Sequence, residues 1–221
     1  MFERIPVEVG LVHEGERVRK NDMQVELGGP AEPEKCELVL VRPVDTITDG
    51  DISIIGPDIS SMEAGNHYPL GILVEIAGAK VEPDLEGVIE RRIHEYSNYI
   101  EGFMHLNQRY DIWIRLSKKS YKKGLNTFRF IGEVMLELFR NELPVLEKIQ
   151  ITFITDPEKI KPLYREALER YEARDARARG LLDKDVDVFY GCALCQSFAP
   201  AHICVITPQR YANCGAISWF D

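Results

Sequence analysis

The chain has no apolar run approaching the roughly 20 residues that a membrane span needs. Its first ten residues, MFERIPVEVG, carry charge at once and contain no apolar stretch of the kind a secretory leader requires. A cytoplasmic protein is expected. No GxGxxG motif opens a helical pattern, so a dinucleotide fold has no support, and Gly28-Gly29-Pro30 is too short for a phosphate-binding loop. Internal repeats and low-complexity linkers are absent. Positive charge is in short supply: 27 basic residues face 36 acidic ones, a net charge of −9. That balance repels duplex nucleic acid and argues against such a partner. Cysteine is scarce too, with five in 221 residues. Four of them, Cys192, Cys195, Cys204 and Cys214, fall within the last 30 residues. An odd count in a cytosolic chain argues against a disulfide framework and for a thiolate metal site.

What is present is ordinary globular composition, 45% hydrophobic and 29% charged, with ample apolar content for a core. Short apolar runs bounded by turn residues predict strands at 23–27, 37–42, 52–55 and 70–77. The last of these is apolar almost throughout, as expected of a central strand covered on both faces. From Pro83 and Asp84 onward, Leu85, Val88, Ile89, Ile93, Tyr96, Ile100, Phe103 and Met104 keep helical spacing, predicting one long helix with Glu90, Arg91, Arg92 and Glu95 on its other face. Residues 110–116 alternate like a strand, 127–143 return to a helical period, and 149–155 read as another strand. Asp156-Pro157 supplies a cap and a first-turn proline for a helix running to about Gly180.

The expected architecture is α+β, a mixed sheet packed with long helices over residues 1–188. A cysteine-rich tail follows at 189–221, rich in small residues and proline and expected to be loop and short helix wrapped around something. Its spacing is Cys192-x2-Cys195-x8-Cys204-x9-Cys214. Two thiolates three residues apart grip one metal or two corners of a cluster. The second half lacks the paired spacing of a zinc ribbon, which suits a cuboidal [4Fe–4S] cluster, with zinc and unligated cysteines left as alternatives. Phe198, Pro200 and Trp219 stand ready to dry the surroundings of such a site.

The segment GCALCQSFAPAHICVITPQRYANCGAISWFD closely resembles the metal-cluster segment of acetyl-CoA synthases, above all that of the archaeal acetyl-CoA decarbonylase/synthase β subunits. The resemblance extends to HEGERVRKNDMQVELGGP near the start, IIGPDI at 54–59, FMHLNQRYDIWIRLSK at 103–118 and YEARDARARGLLDKDVDVFYGC before the cysteines, and so covers essentially the whole chain. It implies an enzyme, an acyltransferase that makes or cleaves acetyl-CoA from CO, a corrinoid-borne methyl group and CoA at a nickel–iron–sulfur cluster. By position, Cys192, Cys195, Cys204 and Cys214 match the ligands of a [4Fe–4S] cubane. Cys195 matches the bridge to a proximal nickel, and Phe198 matches an aromatic residue beside that nickel.

A second, distal nickel is held in the family by a Cys-Gly-Cys tripeptide, and no such tripeptide occurs in these 221 residues. The expectation is therefore the cubane half of the site, the alternative being a non-catalytic Fe–S or zinc-stabilised binding module of the same complex. Partners implied are CoA or acetyl-CoA, the corrinoid iron–sulfur protein and carbon monoxide dehydrogenase subunits.

Trp113, flanked by Arg109 and Arg115, offers an aromatic face and guanidinium groups for CoA, as the resemblance implies; a solvated strand with a core tryptophan explains the same residues. His94 and His105 are expected on the long helix in structural roles, and Cys36 as a small buried residue of a strand.

Overall fold

The structure is a computed structural model and describes residues 2–10, 18–83, 85–105, 112–192 and 204–207. In chain order, the strands and helices are β1 (Met23–Gly28), β2 (Lys35–Val41), β3 (Ile52–Ile55), β4 (Asn66–Tyr68), β5 (Leu70–Ala77), α1 (Leu85–Asn98), β6 (Phe103–His105), β7 (Trp113–Ser117), α2 (Lys118–Lys122), α3 (Phe128–Glu142), β8 (Lys148–Ile154), α4 (Pro157–Gly180), β9 (Tyr190–Cys192) and β10 (Cys204–Ile206). The chain divides into two compact units, residues 1–167 and 168–221. The fold class is α+β, as the pattern of elements requires.

Among its described residues the first unit holds two mixed four-stranded sheets in place of the single sheet expected, ordered β4-β1-β7-β6 and β2-β5-β8-β3. In the second sheet β5 is central, parallel to β2 and antiparallel to β8, while β8 runs parallel to β3. Val74, Ile76, Ile151 and Phe153 there are fully or almost fully buried, as a doubly covered apolar run predicts. Helix α3 packs across β3 and β8, and it comes close because Gly132 has no side chain: a Cβ there would stand 2.8 Å from Ile52. Phe128 stacks on Phe153 with ring centroids 5.0 Å apart, and Tyr96 of α1 meets Phe139 edge-on at 4.9 Å. These aromatic pairs tie α1, α3 and β8 into one core.

Both long capped helices start where the sequence places them. Thr127 Oγ1 accepts from the Arg129 amide at 3.2 Å, and Asp156 Oδ1 accepts from the Glu158 amide at 2.9 Å. The expected helix from residue 85 through Met104 stops short, at Asn98. Gly102, at φ +74°, turns the chain, and Phe103–His105 joins the first sheet as β6 against β7. His105 is thus on a strand and not, as expected, on the helix.

Helix α1 buries its expected apolar face, Leu85, Val88, Ile89, Ile93 and Tyr96, but Glu90, expected on the other face, is buried as well, as is Glu86. β2 is an edge strand, and its outer amides need acceptors. Glu86 Oε1 accepts from the Val41 amide at 3.0 Å, Glu90 Oε1 accepts from the Val39 amide at 3.3 Å, and His94 Nε2 lies 2.7 Å from Glu37 Oε1. Four helical residues rise about 6 Å and two strand residues about 6.6 Å, so positions 86, 90 and 94 keep step with 41, 39 and 37. The helix closes the sheet edge with side-chain acceptors in place of another strand.

In the second unit, β9 and β10 form a two-stranded antiparallel ribbon. The sequence predicts loop and short helix for the tail, and its described part is instead paired strand. The 3.6-residue pattern of α4 includes Pro162 within the helix.

Candidate metal centre and the Trp113 strand

The ribbon places two of the four candidate ligands. Cys192 closes β9 and Cys204 opens β10, and the two are direct register partners, with Gly191 opposite Val205 and Tyr190 opposite Ile206. Side chains directly opposed on an antiparallel pair point to the same face, with Cβ atoms about 4.5–5.5 Å apart. The x11 gap in sequence between these cysteines thus collapses to a cross-strand contact. Both side chains are half-buried. Cys195, Cys214 and Phe198 lie outside the described residues. Two soft thiols on one face suit an iron–sulfur or zinc site, and they are the two of the four candidate ligands that lie within the described residues. Among the described residues, no group of three or more His, Cys, Asp or Glu side chains is placed to hold a metal ion.

The remaining described cysteine is of another kind. Cys36 is fully buried in β2, and burial, with Glu37 and Glu90 nearby, pushes its thiol far above the usual range. It is an inert small core residue.

The Trp113 strand belongs to the first unit. Ile112, just before β7, and Ile114 and Leu116 on it are buried while Trp113 and Arg115 alternate on the half-buried face. Gly28 and Gly29, at φ +64° and +78°, serve this strand: a Cβ on Gly29 would sit 2.5 Å from the Trp113 ring. The glycine pair makes room for an indole. Arg115 lies over the same ring, its guanidinium carbon 5.9 Å from the centroid.

Arg115 also has an internal partner that sequence reasoning missed. Its Nε donates to Glu26 Oε2, and Nη1 reaches the Val18 carbonyl at 3.4 Å. The other Glu26 oxygen lies 3.0 Å from His67 Nδ1. Glu26 is in register with both neighbours, so His67, Glu26 and Arg115 make one row across three strands. Burial raises the Glu26 carboxyl, but Arg115, the Trp113 indole and His67 outweigh it and hold the group below its ordinary value. Arg109 lies outside the described residues. Alternation at 110–116 signals a strand, which the described residues show at Trp113–Ser117; the carboxylate across from Arg115 has no sequence signal.

A further buried polar group lies between α1 and β6. The imidazoles of His94 and His105 stack with centroids 4.0 Å apart. Burial, with His94 and Arg91 alongside, holds His105 well below the ordinary imidazole value. Neither of its ring nitrogens has a hydrogen-bond partner among the described residues.

Comparison with known proteins decides the lineage. Residues 5–160 match the model of the CO dehydrogenase/acetyl-CoA synthase complex beta subunit, and residues 171–221 match that of the C-terminal region of the ACS/CODH beta subunit. The chain belongs to this beta-subunit family. Relatives include acetyl-CoA decarbonylase/synthase complex subunit beta 2 of Methanosarcina thermophila, 52% identical over 100% of this chain and 46% of the relative. The beta subunit of Archaeoglobus fulgidus is 52% identical over 98% of this chain and 41% of its own length. That of Methanothermobacter thermautotrophicus is 51% identical over 100% of the chain and 47% of its own length. The chain thus spans less than half the length of these beta subunits. The two family regions meet between residues 160 and 171, on α4. Among the described residues of this family member, no helix is long and apolar enough to cross a membrane.

Proposed function

We propose that this chain is the cluster-bearing part of an acetyl-CoA synthase/decarbonylase, with Cys192, Cys195, Cys204 and Cys214 as ligands of a [4Fe–4S] cluster. The observation that supports it is the register of Cys192 against Cys204, which presents two thiols together in a segment similar throughout to the complex's beta subunits. When bound, the nickel–iron–sulfur group supplies an electron-rich, thiolate-ligated metal able to take up CO and a methyl group. The chain's own residues would hold and shield it: by family position Cys195 would supply a thiolate shared with nickel, and Phe198 would help keep water from the reacting metal. The reaction is the making or cleaving of acetyl-CoA from CO, a corrinoid-borne methyl group and CoA. Corrinoid iron–sulfur protein and carbon monoxide dehydrogenase subunits are the partners.

CoA docking belongs to the Trp113 strand. The indole seated on Gly29 is the stacking surface, and Arg109 is the phosphate contact. Arg115, bonded to Glu26, holds that surface in place while presenting its remaining donors.

Anaerobic reconstitution of the chain with iron and sulfide tests the cluster. Roughly four irons and four sulfides per chain are expected, falling to under half in Cys204→Ser and unchanged in Cys36→Ser. Tight zinc with no iron uptake overturns the assignment.

A further inference from the structure

Cys192 and Cys204 face each other across an antiparallel ladder. Directly opposed residues on such a ladder have Cα atoms about 4.5–5.5 Å apart, inside the roughly 4.4–6.8 Å window of disulfides. Both residues are half-buried and keep part of their surface exposed to solvent. We propose that, whenever the cluster is absent, these two cysteines are a reversible cross-strand disulfide site whose closure bars metal from the ligand set until a thiol reopens it. The cross-link rests on the register alone; its effect on loading rests on the function proposed above.

The chemistry is thiol–disulfide exchange with a low-molecular-weight disulfide such as cystine. One protein thiolate attacks a cystine sulfur, the cystine S–S bond breaks and one cysteine leaves. The second protein thiolate then displaces the other. Two protein thiols are oxidised, one S–S bond forms, and cystine is reduced to two thiols that carry away the two protons. The ladder selects the pair. Closing a loop ordinarily costs chain entropy, and here Gly191–Val205 and Tyr190–Ile206 pairing already holds the two ends together. Opposed Cβ atoms stand about 4.5–5.5 Å apart, whereas a disulfide wants about 3.5–4.5 Å. The strands must pinch to close it, and a strained bond is easily reduced. That is the property a reversible block needs. Cys36, buried in β2, is the internal control.

The test uses the whole chain, stripped of metal, equilibrated with cystine, alkylated and peptide-mapped. The expected result is a dominant Cys192–Cys204 link, a thiol count falling from five to three, and full recovery with dithiothreitol. Cys195→Ser keeps the link, and Cys204→Ser abolishes it. Cobalt(II) uptake, read from thiolate-to-metal absorption, drops at least about tenfold in the oxidised chain and returns on reduction. Links scattered over Cys195 and Cys214, or five persisting thiols, overturn the proposal. A mapped Cys192–Cys204 link in a chain that builds no cluster when reduced leaves the cross-link standing and removes the proposed function.

Discussion

Glu26 and Arg115 are register partners across the β1–β7 pair, and the guanidinium Nε donates to the carboxylate. Glu26 is almost wholly buried, so the arginine is what makes its charge tolerable there. Arg115→Met is expected to cost about 2–3 kcal/mol, because it strands a buried charge. Adding Glu26→Gln should recover most of that loss, a non-additivity that urea denaturation of the two single variants and the double variant will measure. Equal and additive costs would show that the pair does not interact.

Glu101 gives a pH signature. Lys123 Nζ donates to both its oxygens at 2.6 and 2.7 Å, with Lys119 at 3.1 Å, and these lysines carry the carboxyl down to about 2 against the opposing effect of burial. A depressed carboxylate contributes stability above its unfolded value and loses it on acidification. The contribution is therefore complete above about pH 4.5 and lost between there and about pH 2. Solvent around the lysines limits it to about 1–2 kcal/mol. Glu101→Gln should show that deficit at pH 7 and converge with the parent chain toward pH 2.

Asp58 is a shared cap. Its Oδ1 accepts from its neighbour Ile59 at 2.8 Å and, from far along the chain, from the Phe128 amide at the start of α3 at 2.9 Å. Asp58→Ala is expected to cost about 2 kcal/mol, exceeding the roughly 1 kcal/mol of Thr127→Ala, which removes an ordinary N-cap. Thermal unfolding of both variants decides the order.

His105 predicts acid sensitivity of the opposite residue type. Its folded-state value is depressed by burial, with His94 and Arg91 beside it, so only the unfolded chain takes up the proton readily. Stability should fall as pH drops below about 6.5, by at most about 1.4 kcal/mol per pH unit from this group. In His105→Leu that part of the slope should vanish, while the parent chain keeps it. Glu37, bonded to His94, acts in the same neighbourhood and makes Glu37→Gln a necessary companion measurement.

Much of the fold is legible where local pattern and tertiary demand agree. The 52–55 and 70–77 strands have the boundaries that their apolar runs imply, and Asp156 marks a helix start by side-chain chemistry alone. Pattern misleads at 99–105, where Ile100, Phe103 and Met104 keep helical spacing although the chain has left the helix. Buried residues satisfy either period, and Gly102, at positive φ, turns the chain within that spacing. It misleads again at Glu90, since a carboxylate that answers a distant strand edge looks like a solvent face. The cysteine tail shows the same division. Four closely spaced cysteines raise the expectation of a metal site, but strands three residues long carry too little pattern to reveal that Cys192 opposes Cys204. Arg109, Cys195, Phe198 and Cys214 fall outside the described residues.

The position of β8 has a consequence for synthesis. Ile52 pairs with Ile151, and among the described residues β3 meets its sheet only through β8, which also lies against β5. On the ribosome, β2 and β5 can find each other early, whereas β3 must wait unpartnered until nearly a hundred further residues have been made. The last strand to emerge from this unit is the one that zips its middle. A nascent chain stalled before Ile149 therefore exposes two apolar strand edges at once, and that is the interval in which it most needs a chaperone.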